Sequence, residues 1–195
     1  MLSRRMKTKP DPARDFNLSE RASRNQANEE LTELAAIIDG RPGWWRFPCQ
    51  ESVRGFMGTD PIFIVGDQPS QSPWGPDHLN RQTFYGLLKE ISGSNFHLTD
   101  LYKKRGEPEG LRRCLPPELK PLPPDFSDHL TFFEREVAIL KPNRIIALGG
   151  LAQALLSLHF PKLKPIRRIW HFSYVVRCKK FDEYKENART AIWDE

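Results

Sequence analysis

Three polar pairs stand where apolar runs stop. Asp67 and Gln68 follow Ile62-Phe63-Ile64-Val65-Gly66, Thr99 and Asp100 follow Asn95–Leu98, and His171 and Ser173 follow Ile169-Trp170. Residues of these types can manage charge that develops during a reaction. A carboxylate at Asp67 can stabilise a cation or aim a water at one; the plainer role is to cap a turn by accepting backbone N–H bonds. A neutral imidazole at His171 can donate one N–H to a developing anion, or can simply be satisfied at a strand end. Asp100, when ionised, only accepts hydrogen bonds and suits an exocyclic amine. If burial raises its pKa it keeps a proton and can donate as well.

The elements that must bring these pairs together follow from the hydrophobic pattern. Ile62–Val65 and, within Arg144–Leu148, Ile145–Leu148 are short continuous apolar runs, as strands buried on both faces require. Asn95–Leu98 and Ile169-Trp170 are shorter strand candidates. Helical spacing predicts helices over about 27–39 (Leu31, Leu34, Ala35, Ile38), over 80–92 (Phe84, Leu87, Leu88, Ile91), from Ser127 (Leu130, Phe133, Val137, Leu140), after Gly149-Gly150 (Leu151, Leu155, Leu158) and over 181–192. Trp44 and Trp45 are expected to pack over the core. Residues 105–125 hold six prolines and read as a long loop. Strands alternate with helices, which predicts an α/β fold: a three-layer α/β/α sandwich around a central, mostly parallel four-stranded sheet. In such sheets the site lies beyond the carboxyl ends of the strands, where the three polar pairs fall.

The chain of 195 residues suits one domain over 26–195, preceded by a flexible basic tail over 1–25. Its net charge of +5 favours a polyanionic partner. No apolar run approaches the length of a membrane helix, and the N-terminus shows no apolar core of a secretory signal. Cys49, Cys114 and Cys178 are far apart and form no metal-binding motif. A cytoplasmic location, nucleoid-associated or nuclear according to source, and a monomeric state are expected.

Four motifs over Pro61–Ile192 resemble the uracil-DNA glycosylase superfamily. Ile62–Ser70 is similar to the strand and Gly-x-x-Pro turn that opens these enzymes. Asp67 stands where the thermophilic iron–sulfur branch carries an acid, and Gln68 where the commonest uracil enzymes carry theirs. Ser72–Arg81 resembles a loop of the mismatch-specific branch, with Trp74 six residues before Asn80-Arg81. Leu98–Lys103 is similar to a segment in which the relatives carry Asn at the position of Asp100. Trp170–Arg177 resembles a His-Pro-Ala/Ser-Tyr-Leu-Leu-Arg segment, with Phe172 in place of Pro.

The resemblance implies a DNA glycosylase that flips a deaminated or damaged base, uracil or related, and hydrolyses its N-glycosidic bond in base-excision repair. Asp67 and His171 would be catalytic. Gln68, Trp74 and Asp100 would meet the base, Trp74 by stacking. Ser173 and Arg177 would contact phosphates, and Tyr174, Val175 and Val176 would form the wedge that fills the gap in the duplex. The partner is DNA carrying a modified base, in single or double strands. Basic runs at Lys103-Lys104-Arg105, Arg112-Arg113, Lys162–Arg168 and Arg177–Lys180 would track its backbone. The iron–sulfur relatives hold their cluster with four cysteines, so with three this chain is expected to carry no cluster, no metal and no other cofactor. Two alternatives stand beside this reading: a glycosylase fold that binds nucleic acid without catalysis, and a hydrolase of free nucleosides.

Overall fold

The apolar run Ile62–Val65 lies inside β1 (Asp60–Gly66), an inner strand of the sheet. The computed structural model describes residues 12–50, 53–70, 78–105, 122–163 and 165–193. β1 pairs on one side with β2 (Phe96–Asp100) and on the other with β3 (Arg144–Leu148), and β4 (Ile166–Ile169) lies beyond β3. All pairs are parallel, and the strand order is β2-β1-β3-β4. Six α-helices accompany the sheet among the described residues: α1 (Pro12–Asp39), α2 (Leu79–Ser92), α3 (Phe126–Leu140), α4 (Gly150–His159), α5 (Phe172–Cys178) and α6 (Phe181–Trp193).

Side chains that alternate along each strand supply two cores, one on each face. Phe63, Val65, Ile145 and Ala147 pack with α1, α3 and α4. Ile64, Leu98, Ile146, Leu148 and Ile169 pack with α2, α5 and α6. The result is the three-layer α/β/α arrangement expected from the alternation of elements. The chain runs from β1 to β2 on one side, then crosses to β3 on the other. A parallel sheet opens a crevice beyond its carboxyl ends at such a switch point.

Four elements differ from the pattern-based expectation. Helix α1 starts at Pro12, so residues 12–25 are helical rather than a flexible tail. Proline is favoured at the first helical position, and no further Pro or Gly interrupts the segment. Arg24 pairs with Glu20 at 3.1 Å and Gln26 with Glu30 at 2.9 Å, both one turn apart. Strand β2 extends through Asp100, and β4 lies earlier than Ile169-Trp170. Residues 172–178 are a short helix rather than an irregular turn. The proline-rich stretch 106–121 lies outside the described residues. Among those described, no helix is long and apolar enough to cross a membrane.

Candidate active site

The end of β1 sets the first catalytic candidate. Gly66 stands beside Asp100 in the β1–β2 register. The Gly66 carbonyl then accepts from Leu101 N–H at 2.9 Å and the Asp67 carbonyl from Tyr102 N–H at 3.0 Å. These bonds continue the parallel ladder past the strand and fix where the Asp67 side chain leaves the backbone. Only 8% of Asp67 is exposed.

His171 reaches the same place from the end of β4. It is the N-cap of α5: Ser173 N–H donates to its Nδ1 at 3.2 Å, and Ser173 Oγ lies 2.7 Å from the same nitrogen. A nitrogen that accepts a backbone N–H carries no proton, so the ring proton sits on Nε2. That nitrogen faces Asp67 Oδ1 at 3.8 Å. Gly149 permits this placement. Its φ is +93°, and a Cβ there would come within 3.1 Å of the His171 Cβ. Gly149 N–H also donates to the Ile169 carbonyl at 2.8 Å, tying β3 to β4 just before His171.

Asp100 closes the inner end. It is 4% exposed, and its Oδ2 has no hydrogen-bond partner. A Cβ on Gly66 would stand 2.1 Å from its Oδ1, so only glycine fits beneath the carboxyl. Burial, reinforced by the Asp67 charge, pushes its pKa well above the usual carboxylate range. On the α3 side of β2 lies a buried ionic cluster. Glu136 pairs with Lys103 Nζ at 2.6 Å and with His97 Nε2 at 3.2 Å. Lys103 Nζ also donates to Thr99 Oγ1 and to the Asp100 backbone carbonyl, each at 2.8 Å. Burial opposes the Glu136 charge, but Lys103 and His97 together outweigh it and hold its pKa below the ordinary value. The cluster braces the end of β2 from behind.

Asp67, Asp100, Gly149 and His171 share one cleft of about 720 Å³, lined also by Gln68, Asn80, Ser173 and Arg177. That volume lies within the usual range for small-molecule and cofactor sites. One wall is aromatic. Trp45 and Phe47 meet edge to face at 4.6 Å, and Phe84 lies 5.0 Å from Phe172. Arg105 completes this wall with its guanidinium 4.9 Å over the Trp45 ring, and its Nε and Nη2 have no hydrogen-bond partner. From the sequence, Trp45 is expected only over the core and Arg105 only in a basic run. The cue available was the aromatic spacing Trp45-x-Phe47, which puts two rings on one side of an extended segment.

The structure corrects two of the DNA-contact expectations. Val175 is fully buried in the core beneath α5, because a seven-residue helix turns Phe172 and Val175 to the same inner face. It forms no wedge. Tyr174 remains 38% exposed, edge to face with Trp170, and Val176 lines the cleft. Lys103, 1% exposed and paired with Glu136, is no part of a phosphate-tracking surface. In the Lys162–Arg168 run, Arg167 is tied to the Thr190 and Ala191 carbonyls of α6. Trp74 and Arg112-Arg113 lie outside the described residues. Of the strand-end pairs, Asp67, Gln68, Asp100, His171 and Ser173 line the cleft, and Arg177 joins them, whereas Thr99 is turned away and accepts from Lys103 Nζ. Among the described residues no group of three or more His, Cys, Asp or Glu is arranged to hold a metal ion. Set against known proteins, the chain matches no family model, and no curated protein matches it in sequence.

Proposed function

We propose that this chain is a DNA glycosylase that hydrolyses the N-glycosidic bond of a flipped, deaminated or damaged base. The observation that carries the reading is the capped His171: Nδ1 is committed to Ser173, so a neutral ring presents Nε2–H to the cleft facing Asp67. Breaking the C–N bond leaves its electron pair on the base and a positive sugar. His171 Nε2–H stabilises the departing anion, and the Asp67 carboxylate stabilises the sugar cation and aims a water at it. The water oxygen bonds to the sugar carbon, its proton leaves to solvent or Asp67, and the base gains a proton. The aromatic wall offers faces for the base, and exposed Arg177 suits a phosphate. Uracil and related deamination products are the substrates this reading favours, with DNA as the partner.

The test is a release assay across uracil, hypoxanthine, xanthine, thymine-mismatch and cytosine oligonucleotides in single and double strands. Release of a deaminated base supports the proposal. Binding of oligonucleotides with no release from any of them points instead to a non-catalytic nucleic-acid module.

One contact favours a second reading. Ser173 Oγ, His171 and Asp67 form a hydroxyl–imidazole–carboxylate series at 2.7 and 3.8 Å, the order of an acyl-transfer hydrolase. Ser173→Ala separates the two. As a nucleophile its loss abolishes ester hydrolysis. In a glycosylase the backbone N–H still holds His171, and base release falls by less than roughly tenfold.

A further inference from the structure

Among the described residues that line the cleft, Asp100 is a carboxyl with an oxygen that has no hydrogen-bond partner. Its Oδ1 sits against Gly66 and its Oδ2 meets no donor. The nearest lysine does not serve it: Lys103 Nζ is spent on Glu136, Thr99 Oγ1 and the Asp100 main-chain carbonyl. The other charged and titratable groups that act on it are Asp67 beyond β1, Glu136 on α3, Tyr85 on α2, and Arg105 beyond β2. Asp67 opposes a second negative charge at the adjoining strand end, and Glu136 offsets part of the favourable effect of Lys103. Arg105 is a further cation that favours the charge, and its Nε and Nη2 have no hydrogen-bond partner. A buried carboxylate with no donor is costly, whereas the neutral acid leaves only a weak dipole unpaired. Two buried carboxyls at neighbouring strand ends, one with an oxygen that meets no donor and one facing an imidazole, divide naturally into an acid and a base.

We propose that Asp100 meets the flipped base as a neutral carboxylic acid, its O–H donated to a ring acceptor and its C=O accepting from the adjacent ring N–H. This role rests on the glycosylase reading above. A neutral carboxyl offers one donor beside one acceptor, as a carboxamide does. The matching edges are those with a donor next to an acceptor: N3–H beside O4 in uracil, N1–H beside O6 in hypoxanthine. Guanine shares the N1–H beside O6 edge of hypoxanthine; its N1–H and 2-amino donor pair, which calls for an ionised carboxylate, is not the edge read. Reading fails as alkali removes the proton.

The test combines two measurements on the full chain. Isotope-labelled aspartate followed by NMR reports the Asp100 carboxyl directly, assigned by its disappearance in Asp100→Asn, or in Asp100→Ser if the first variant does not fold. The proposal expects a protonated carboxyl at neutral pH. Base release is then followed against pH. Wild-type release should fall by roughly tenfold per pH unit above the carboxyl's titration, while Asp100→Asn keeps its rate there. An ionised Asp100 at neutral pH overturns the proposal, and so do identical alkaline limbs in the two proteins, even when both release base. No release by either protein at any pH overturns the glycosylase reading itself, and this role falls with it.

Discussion

His171 Nε2 faces Asp67 Oδ1 at 3.8 Å, across the carboxyl ends of β4 and β1. The separation is too long for a direct hydrogen bond. It sets a donor for negative charge beside a holder of positive charge at one end of a partly apolar cleft. Heterolysis of a C–N bond creates both charges at once, and fixed groups of this kind stabilise them without reorganisation. The pair depends on three local features: the glycine at 149, the cap from Ser173 and the extended ladder after β1.

Gly149→Ala tests the first of these. The backbone there holds a conformation open to glycine alone, and the added Cβ meets His171. We expect a loss of about 1–3 kcal/mol in stability from backbone strain and a fall of roughly 10- to 100-fold in base release from the displaced imidazole. Gly86→Ala is the control. Nothing lies within 4 Å of a Cβ there, inside α2, so it should gain about 0.5–1 kcal/mol and leave release unchanged. Urea unfolding and single-turnover assays of both variants decide the point.

Arg177 and Val175, two residues apart on α5, should give opposite phenotypes. Arg177 is exposed at the cleft, so Arg177→Ala should weaken oligonucleotide binding uniformly and reduce the salt slope by about one. Val175 is fully buried, so Val175→Ala should cost about 1–3 kcal/mol of stability and leave the salt slope untouched. Titration of binding at several salt concentrations, beside denaturant unfolding, separates them. Equal salt slopes for wild type and Arg177→Ala would count against a phosphate contact.

The buried Glu136 cluster makes stability depend on pH in the acid range. Lys103 and His97 hold the Glu136 pKa below its ordinary value against the opposing effect of burial. A depressed folded-state pKa contributes stability that is complete above the unfolded value and is lost as pH falls through the folded one. Acid unfolding of the wild type should therefore steepen below the ordinary glutamate range. Glu136→Gln should remove that dependence and cost about 3–5 kcal/mol at neutral pH, because Lys103 is left buried and unpaired. Thermal unfolding between acid and neutral pH checks both parts.

The sheet was legible in the sequence because its central strands are buried on both faces, and continuous runs such as Ile62–Val65 and Ile145–Leu148 have few other uses. The polar residues at their ends followed from the same argument. What stayed hidden depends on contacts between distant residues. Lys103 read as a surface base because its partner Glu136 lies on α3, 33 residues further along the chain. The resemblance places Val175 in a wedge, and seven residues are too few for a helical period to show that it faces the core. Trp45 and Arg105 became cleft walls through a stacking contact that no local pattern encodes. Helix α1 reached back to Pro12 because polar residues can build a helix without an apolar stripe to announce it.

Single-turnover base release by wild type, Asp67→Asn and His171→Ala, on the oligonucleotide that the wild type cleaves best, bears most directly on the central assignment. Each substitution should lower the rate by at least ~100-fold while unfolding and oligonucleotide binding stay near wild type, the range expected for groups that stabilise charge in the transition state. Rates near wild type in both variants would contradict the assignment of the Asp67–His171 pair.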